Sequence, residues 1–325
     1  MTAYSRACAM LVAVACAAAG RDKFDVYYLV IGSEHYVGAA APGVNSLPAI
    51  DGMRKSALAV AGVLDGGGSA FGITLLSDSK HFVSVRDIET GLNALVKRVR
   101  DDRPAKPLLV FYFAGHGVSE GVAWNHFSLP GNFAFRGSLG AQTVEGLARV
   151  TLHASELVDR LEKSGVPFLL LLDTCYEGKP ESFRSPVLTG PAVDSLRDTA
   201  AVLRFMNEFH ETGQVLFSTQ PGTTVSPSPD PRDPDPKITG VAPLARRFLL
   251  IAGRVRLSQQ PLSLGEFVTN IVSPDLDPAT GPAVTHSQLA PQGDFLLAIP
   301  EPVKGRRVEM TGTATNAAVC CDPRR

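Results

Sequence analysis

The chain has 325 residues, 45% of them hydrophobic and 19% charged, which suits one large α/β unit with a sizeable core. A formal net charge of −1, with one Trp and six Tyr, offers neither a basic field nor a stacking surface. Nucleic acid and anionic membrane surfaces are therefore not expected partners.

Arg6 precedes an uninterrupted small and apolar run, Ala7–Ala19, closed by the polar Arg21-Asp22-Lys23. A positive start, an apolar stretch of about thirteen residues and an Ala-x-Ala end are the parts of an export signal over residues 1–19. The run is short of the roughly twenty residues that span a bilayer. A buried N-terminal core helix is the alternative. Ala13-Val14-Ala15-Cys16 adds a lipoprotein-type reading, in which Cys16 would carry a lipid anchor, although Ala13 matches that pattern poorly. Periplasmic or secreted localisation is expected, with membrane anchoring through Cys16 as the variant.

Beyond the signal, strand-like and helix-like segments alternate. Phe24–Gly32 reads as a buried strand, and Ser46 to about Leu64 as a helix stopped by Asp65-Gly-Gly-Gly. Phe71–Leu76 is a short strand, and Ser84–Arg100 an amphipathic helix with Ile88, Leu92, Leu95 and Val96 on one face. Pro107–Phe113 is a second buried strand, Trp124–Phe133 a loop, and Thr151–Ser164 a helix with Leu152, Leu157 and Leu161 inward. Pro167–Leu172 is a third buried strand. A Pro- and Gly-containing link, Gly178–Pro191, leads to a helical run at Val193–Phe209 and a strand at Gln214–Ser218. The Pro- and Asp-rich stretch Pro221–Gly240 reads as a loop, Val241–Gly253 and Leu264–Val272 as helices, and Asp294–Ile299 as a last strand. Such alternation around uninterrupted apolar strands predicts an α/β fold, a mostly parallel sheet covered on both faces. Residues 300–325 read as a disordered tail, with the vicinal pair Cys320-Cys321 inside it.

Two segments carry the chemistry. Phe-Ala-Gly-His-Gly (113–117) ends the strand that starts at Pro107, and Asp-Thr-Cys-Tyr-Glu-Gly (173–178) follows the strand that starts at Pro167. If the two strands are neighbours, His116 and Cys175 emerge together at the C-terminal edge of the sheet, where open α/β folds place their sites. A thiol becomes a useful nucleophile at neutral pH beside a base, and imidazole is the usual one. The blander readings are a buried structural cysteine and a surface-loop histidine. Polar neighbours Asp173 and Glu177 argue against burial of Cys175, and small neighbours around His116 permit close approach of a substrate. The remaining histidines, His35, His81, His126, His153, His210 and His286, show no metal-ligand spacing, and no metal is expected at the site.

A strand ending in His-Gly, followed some sixty residues later by a strand ending in Asp-x-Cys, resembles the caspase-like cysteine peptidases, in their bacterial metacaspase and paracaspase-like branch. Asp173 stands where animal caspases carry Gln, and Tyr176-Glu177 separates Cys175 from Gly178. The resemblance spans residues 23–299 and implies a three-layer α/β/α sandwich and a thiol endopeptidase with a Cys175–His116 dyad acting through a thioester. It also implies an oxyanion hole from the Gly117 and Cys175 amides, and a cleft lined by Ser218. Asp173 is expected to hold an Arg or Lys side chain before the scissile bond, a turn-capping Asp being the alternative. Self-processing within 178–213, at Lys179, Arg184, Arg197 or Arg204, fits that specificity. No organic cofactor is implied. Asp230, Asp233 and Asp235 admit a calcium site, but a solvated loop is the favoured reading. The expected partner is a protein or peptide substrate. Two other readings remain: a catalytically silent binding or signalling module on the same scaffold, and a non-peptidase Cys acyl hydrolase.

Overall fold

The computed structural model describes residues 23–37, 42–119, 127–131, 134–136, 150–174, 213–218, 240–277, 284–285, 294–296 and 307–311. Five strands form its parallel centre: β1 (Asp25–Gly32), β3 (Phe71–Leu76), β4 (Pro107–Gly115), β9 (Phe168–Thr174) and β10 (Gly213–Phe217), with the edge strands β12 (Val284–Thr285) and β14 (Arg307–Thr311) outside them. Their order is β12-β10-β9-β4-β1-β3-β14, with β12 antiparallel to β10. Three smaller sheets pair β2 (Val44–Ser46) with β7 (Ala134–Arg136), group β5 (Val118–Ser119), β6 (Phe127–Pro130) and β8 (Thr151–His153), and pair β11 (Leu262–Ser263) with β13 (Asp294–Leu296).

Helices cover both faces. α1 (Met53–Gly66), α4 (Pro243–Ser258) and α5 (Leu264–Val272) pack on one, α2 (Val85–Asp102) and α3 (Ala154–Lys163) on the other. Residue alternation sorts each strand between the two. Val26, Tyr28 and Val30 of β1, Tyr112 and Ala114 of β4, and Leu169 and Leu171 of β9 meet the first group. Tyr27, Leu29 and Ile31, Phe111 and Phe113, and Leu170 and Leu172 meet the second. Both faces are buried, so these strands read as unbroken apolar runs. The expected three-layer α/β/α arrangement around a mostly parallel sheet is thus observed.

The chain winds from β1 outward to β3, then returns past β1 to β4, β9 and β10. The reversal leaves a crevice beyond the C-terminal ends of β1 and β4, the usual location of a site in such sheets. Gly32, at the end of β1, lies under α1: a Cβ there would come within 2.7 Å of the Met53 carbonyl and 2.9 Å of the Ala57 Cβ. Only glycine lets the helix sit so close to the crevice.

Several elements differ from the sequence reading. The helix expected from Ser46 begins at Met53, because Val44–Ser46 pairs with β7 and Gly52 turns through φ +89°, a conformation that starts a new direction. The expected 124–133 loop contains β6. Thr151–His153, expected as the first turn of a helix, is β8, paired with β6, and Leu152 is buried from a strand rather than a helix. The Asp294 strand belongs to a separate two-stranded sheet, and Arg307–Thr311, in the stretch read as a disordered tail, lies parallel to β3 as an edge strand. These are short pairings whose partner lies far along the chain, and hydrophobic periodicity does not reveal them. Among the described residues no helix is long and apolar enough to cross a membrane. The link 178–191, the run 193–209 and residues 1–19, including Cys16, lie outside the described residues.

Candidate active site

His116 is the first residue beyond the β4 ladder, on the edge that faces the crevice. Three contacts hold it. Its backbone N–H donates to the Tyr36 hydroxyl at 2.9 Å, and its ring lies 5.2 Å from the Tyr36 ring at a 47° tilt. Its Nε2 is 2.9 Å from the Pro48 carbonyl. A carbonyl only accepts, so Nε2 carries the proton and the neutral ring presents a lone pair at Nδ1. Burial lowers the imidazole pKa below the ordinary histidine value, against an opposing pull from the Pro48 carbonyl. His116 is therefore a neutral, oriented base at pH 7, with Gly117 half-buried beside it.

Pro48 is held in turn by the segment that follows β1. The Ile50 N–H donates to the Glu34 carbonyl at 2.9 Å, and the Gly52 N–H to Glu34 Oε1 at 2.7 Å. The Glu34 and His35 amides both donate to Ser77 Oγ, at 2.7 and 2.9 Å. The ends of β1 and β3 and the start of α1 thereby form one hydrogen-bonded unit beneath the imidazole.

Strands β4 and β9 run out at the same level, their last described pairs being Ala114 with Asp173 and Gly115 with Thr174. Cys175 follows Thr174 in sequence and lies outside the described residues, as do the calcium alternative at Asp230, Asp233 and Asp235, the self-processing positions and Cys320-Cys321.

Asp173 is wholly buried. Its Oδ2 accepts from the Tyr112 hydroxyl at 3.0 Å and from the Ala245 N–H at 2.9 Å, with the Leu244 amide beside it. Ala242, at the start of α4, has no capping side chain, so this carboxylate from β9 serves the buried first-turn amides of that helix. Ser56 of α1 takes the Ala242 N–H at 2.7 Å. Desolvation pushes the Asp173 carboxyl up to about 6, partly offset by these donors, and the Tyr112 phenol is raised well above its usual value by burial and then by the Asp173 charge. Among the described residues Asp173 Oδ1 is buried without a hydrogen-bond partner, and the Ser218 hydroxyl is near enough to the carboxylate to join the donors that lower its pKa. Ser218 follows β10. Its N–H donates to the Leu172 carbonyl at 3.0 Å and its hydroxyl to the Thr174 carbonyl at 3.3 Å, tying β10 to the last residue before Cys175.

Arg247, another buried side chain of α4, fixes that helix to the end of α5 by donating to the Ile271 carbonyl at 2.6 Å and the Asp277 carbonyl at 3.3 Å.

No family model and no curated protein matches the chain. A solved structure described as that of pro-Sf-caspase-1 is similar over 89% of this chain and 92% of its own, at 11% identity and a TM-score of 0.40. A likeness of that size says nothing about the chemistry of individual residues.

The sequence reading did not include Tyr36, Pro48, Tyr112 or the α4 amides. A backbone carbonyl or amide carries no residue identity, so no sequence signal marks Pro48 or Ala245. Tyr36 lies four residues past Gly32, close behind the end of a predicted strand, which is the one available hint.

Proposed function

We propose that the chain is a caspase-like cysteine endopeptidase working through Cys175 and His116. The observation that carries this reading is the held imidazole: a half-buried, neutral ring at the C-terminal edge of β4, its Nε2 occupied by Pro48 and its Nδ1 left to accept a proton. The proposal continues the β4–β9 register by one step beyond Gly115 and Thr174. Residue 175 then stands beside residue 116, at the roughly 5 Å spacing of neighbouring strands.

In that arrangement the Cys175 thiol gives its proton to Nδ1, and the thiolate attacks the carbonyl carbon of the scissile bond. The Gly117 and Cys175 amides receive the tetrahedral oxyanion, each such donor contributing about 3 kcal/mol in comparable sites. The imidazolium then protonates the leaving amine as the carbon–nitrogen bond breaks, giving a thioester. Water, deprotonated by the same nitrogen, hydrolyses the thioester and restores the thiol.

The same proposal assigns a preference for Arg or Lys before the scissile bond. Asp173 is the acid two residues ahead of the nucleophile, and among the described residues its buried Oδ1 has no hydrogen-bond donor of the kind a guanidinium or ammonium would supply. Ser218 is assigned to the cleft wall, through its hold on Thr174. Residues 1–19 are assigned to export, which N-terminal sequencing of the mature chain checks.

The test is turnover of Arg-, Lys- and Asp-terminated fluorogenic peptides by the wild type and by Cys175→Ala and His116→Ala. Each variant is expected to lose at least about a thousandfold in kcat/KM on Arg peptides. Cleavage after Asp with none after Arg or Lys removes the specificity. Unchanged turnover in Cys175→Ala removes the mechanism.

A further inference from the structure

The peptide groups of β4 are held by the ladders on either side up to Gly115. His116 comes next, and its N–H is the first main-chain donor past the described ladder. Tyr36 takes it at 2.9 Å, from a loop four residues past the end of β1 and across the crevice. The tyrosine is itself buried, 5% exposed, and its ring lies against the imidazole. Gly115 makes room for it: a Cβ there would come within 2.9 Å of the Tyr36 hydroxyl and 3.0 Å of the Phe113 ring.

Resting on the peptidase reading, we propose that Tyr36 is a positioning residue for the candidate base, its phenol fixing the His116 backbone and ring and with them the Gly117 amide. Holding the His116 N–H fixes the Gly115–His116 peptide plane and with it the Cα that carries the imidazole and leads into the next peptide, whose N–H is that of Gly117. One hydroxyl thus aligns a proton acceptor and an oxyanion donor together, whereas Pro48 constrains only the far end of the ring. A phenylalanine would fill the same volume and leave the His116 amide without an acceptor. A shorter hydroxyl side chain would not span the crevice. Chemistry that depends on donors and acceptors held to within a fraction of an ångström is sensitive to such a grip, while binding of the peptide is not.

The experiment compares the full chain with Tyr36→Phe and Gly115→Ala, the second pressing on the same hydroxyl from β4. It reads kcat and KM on an Arg peptide, the pH dependence of kcat/KM, thermal melting, and the His116 titration by NMR. In Tyr36→Phe, kcat is expected to fall about tenfold with KM near the wild-type value. The His116 titration is expected to move up toward the ordinary histidine value as the loosened ring gains water, and the acid limb of the rate profile to move with it. Gly115→Ala is expected to change the same quantities in the same direction, and it decides between the outcomes if Tyr36→Phe does not fold.

A rise in KM alone overturns the proposal, as does a fall in kcat with the His116 titration unmoved. The two levels fail separately. A wild type that cleaves no peptide, with a His116 titration that still shifts in Tyr36→Phe, sinks the peptidase reading and keeps the grip. An active wild type with an unmoved titration does the reverse.

Discussion

The two faces of the central sheet are built from alternate residues of the same strands, yet they differ in kind. Against α2 and α3 the core is hydrocarbon apart from Tyr27, whose hydroxyl reaches Asp102 at the end of α2: Leu29, Ile31, Phe111, Phe113, Leu170 and Leu172 pack with Ile88, Leu92, Leu157 and Leu161. Against α1 and α4 the same strands bury Tyr112 and Asp173 next to Ser56 and the first amides of α4. A hydrocarbon face is held by area and shape, and any well-packed residue serves. A polar face is held only if each donor finds its acceptor, because an orphaned buried group costs about 1–3 kcal/mol. His116 continues the alternation of Tyr112 and Ala114, and Pro48, which receives its ring, stands just ahead of α1. The chemistry therefore gathers on the polar side.

Truncation on each side tests that contrast most strongly. Phe111→Ala removes a wholly buried ring from the hydrocarbon face and should cost about 3–5 kcal/mol in denaturant unfolding. The His116 titration of the surviving folded protein should stay as it was. Asp173→Ala removes a smaller side chain but leaves the Tyr112 hydroxyl and the Ala245 N–H unpaired. It should cost about 2 kcal/mol and loosen the start of α4, read as faster amide exchange at Leu244 and Ala245. Equal and unlocalised losses in the two variants would erase the distinction between the faces.

The next prediction separates the charge of Asp173 from its role as an acceptor. An acid whose folded pKa of about 6 lies above its unfolded value of 3.8 binds more protons folded than unfolded between those limits. Its contribution to stability therefore falls as pH rises from about 4 to about 6, by roughly 3 kcal/mol, and is flat above that. His116 works the other way: its lowered value makes stability rise with pH up to the ordinary histidine value. The wild-type profile sums the two, so the informative quantity is the difference between wild type and Asp173→Asn. Asparagine still accepts from the Ala245 N–H and does not titrate, so the fall between pH 4 and 6 should disappear while α4 stays capped. A profile parallel to wild type would mean that Asp173 titrates at an ordinary value.

The hydrocarbon face was the legible one. Runs such as Pro107–Phe113 and Pro167–Leu172 announce strands buried on both sides, and the 3.6-residue spacing of Ile88, Leu92 and Leu95 announces the helix above them, capped by Ser84. His116 was legible because Gly-His-Gly interrupts such a run where a strand must end. The polar face was not. Asp173 meets an amide 72 residues further on, and Ala242 meets Ser56 186 residues back. The partner in each case is backbone or a single hydroxyl, which leaves no pattern in the chain. Asp173 alone suggested a specificity acid or a turn cap. Its Oδ2 caps α4, a helix rather than the local turn, while the proposed specificity falls to Oδ1.

Two helix caps give the finest comparison. On the hydrocarbon side Ser84 caps α2 with its hydroxyl accepting from the Asp87 N–H at 3.2 Å, while the Asp87 carboxylate takes the Ser84 N–H at 2.9 Å. On the polar side Glu34 Oε1 takes the Gly52 N–H at the start of α1. Removing either cap, as Ser84→Ala or Glu34→Ala, should cost about 1 kcal/mol. Their effects on chemistry should diverge. Among the described residues Ser84 bonds within its own helix start, to Asp87, and not to the segments that hold His116, so turnover per folded molecule should match wild type. Glu34 steadies the Ile50–Gly52 segment behind Pro48, so its loss should let the carbonyl drift from Nε2 and lower kcat a few-fold at unchanged KM. Rescue by Glu34→Gln, which keeps an oxygen acceptor, would assign that loss to position rather than charge. Equal kcat in Ser84→Ala and Glu34→Ala would mean that the Pro48 carbonyl holds its place without Glu34.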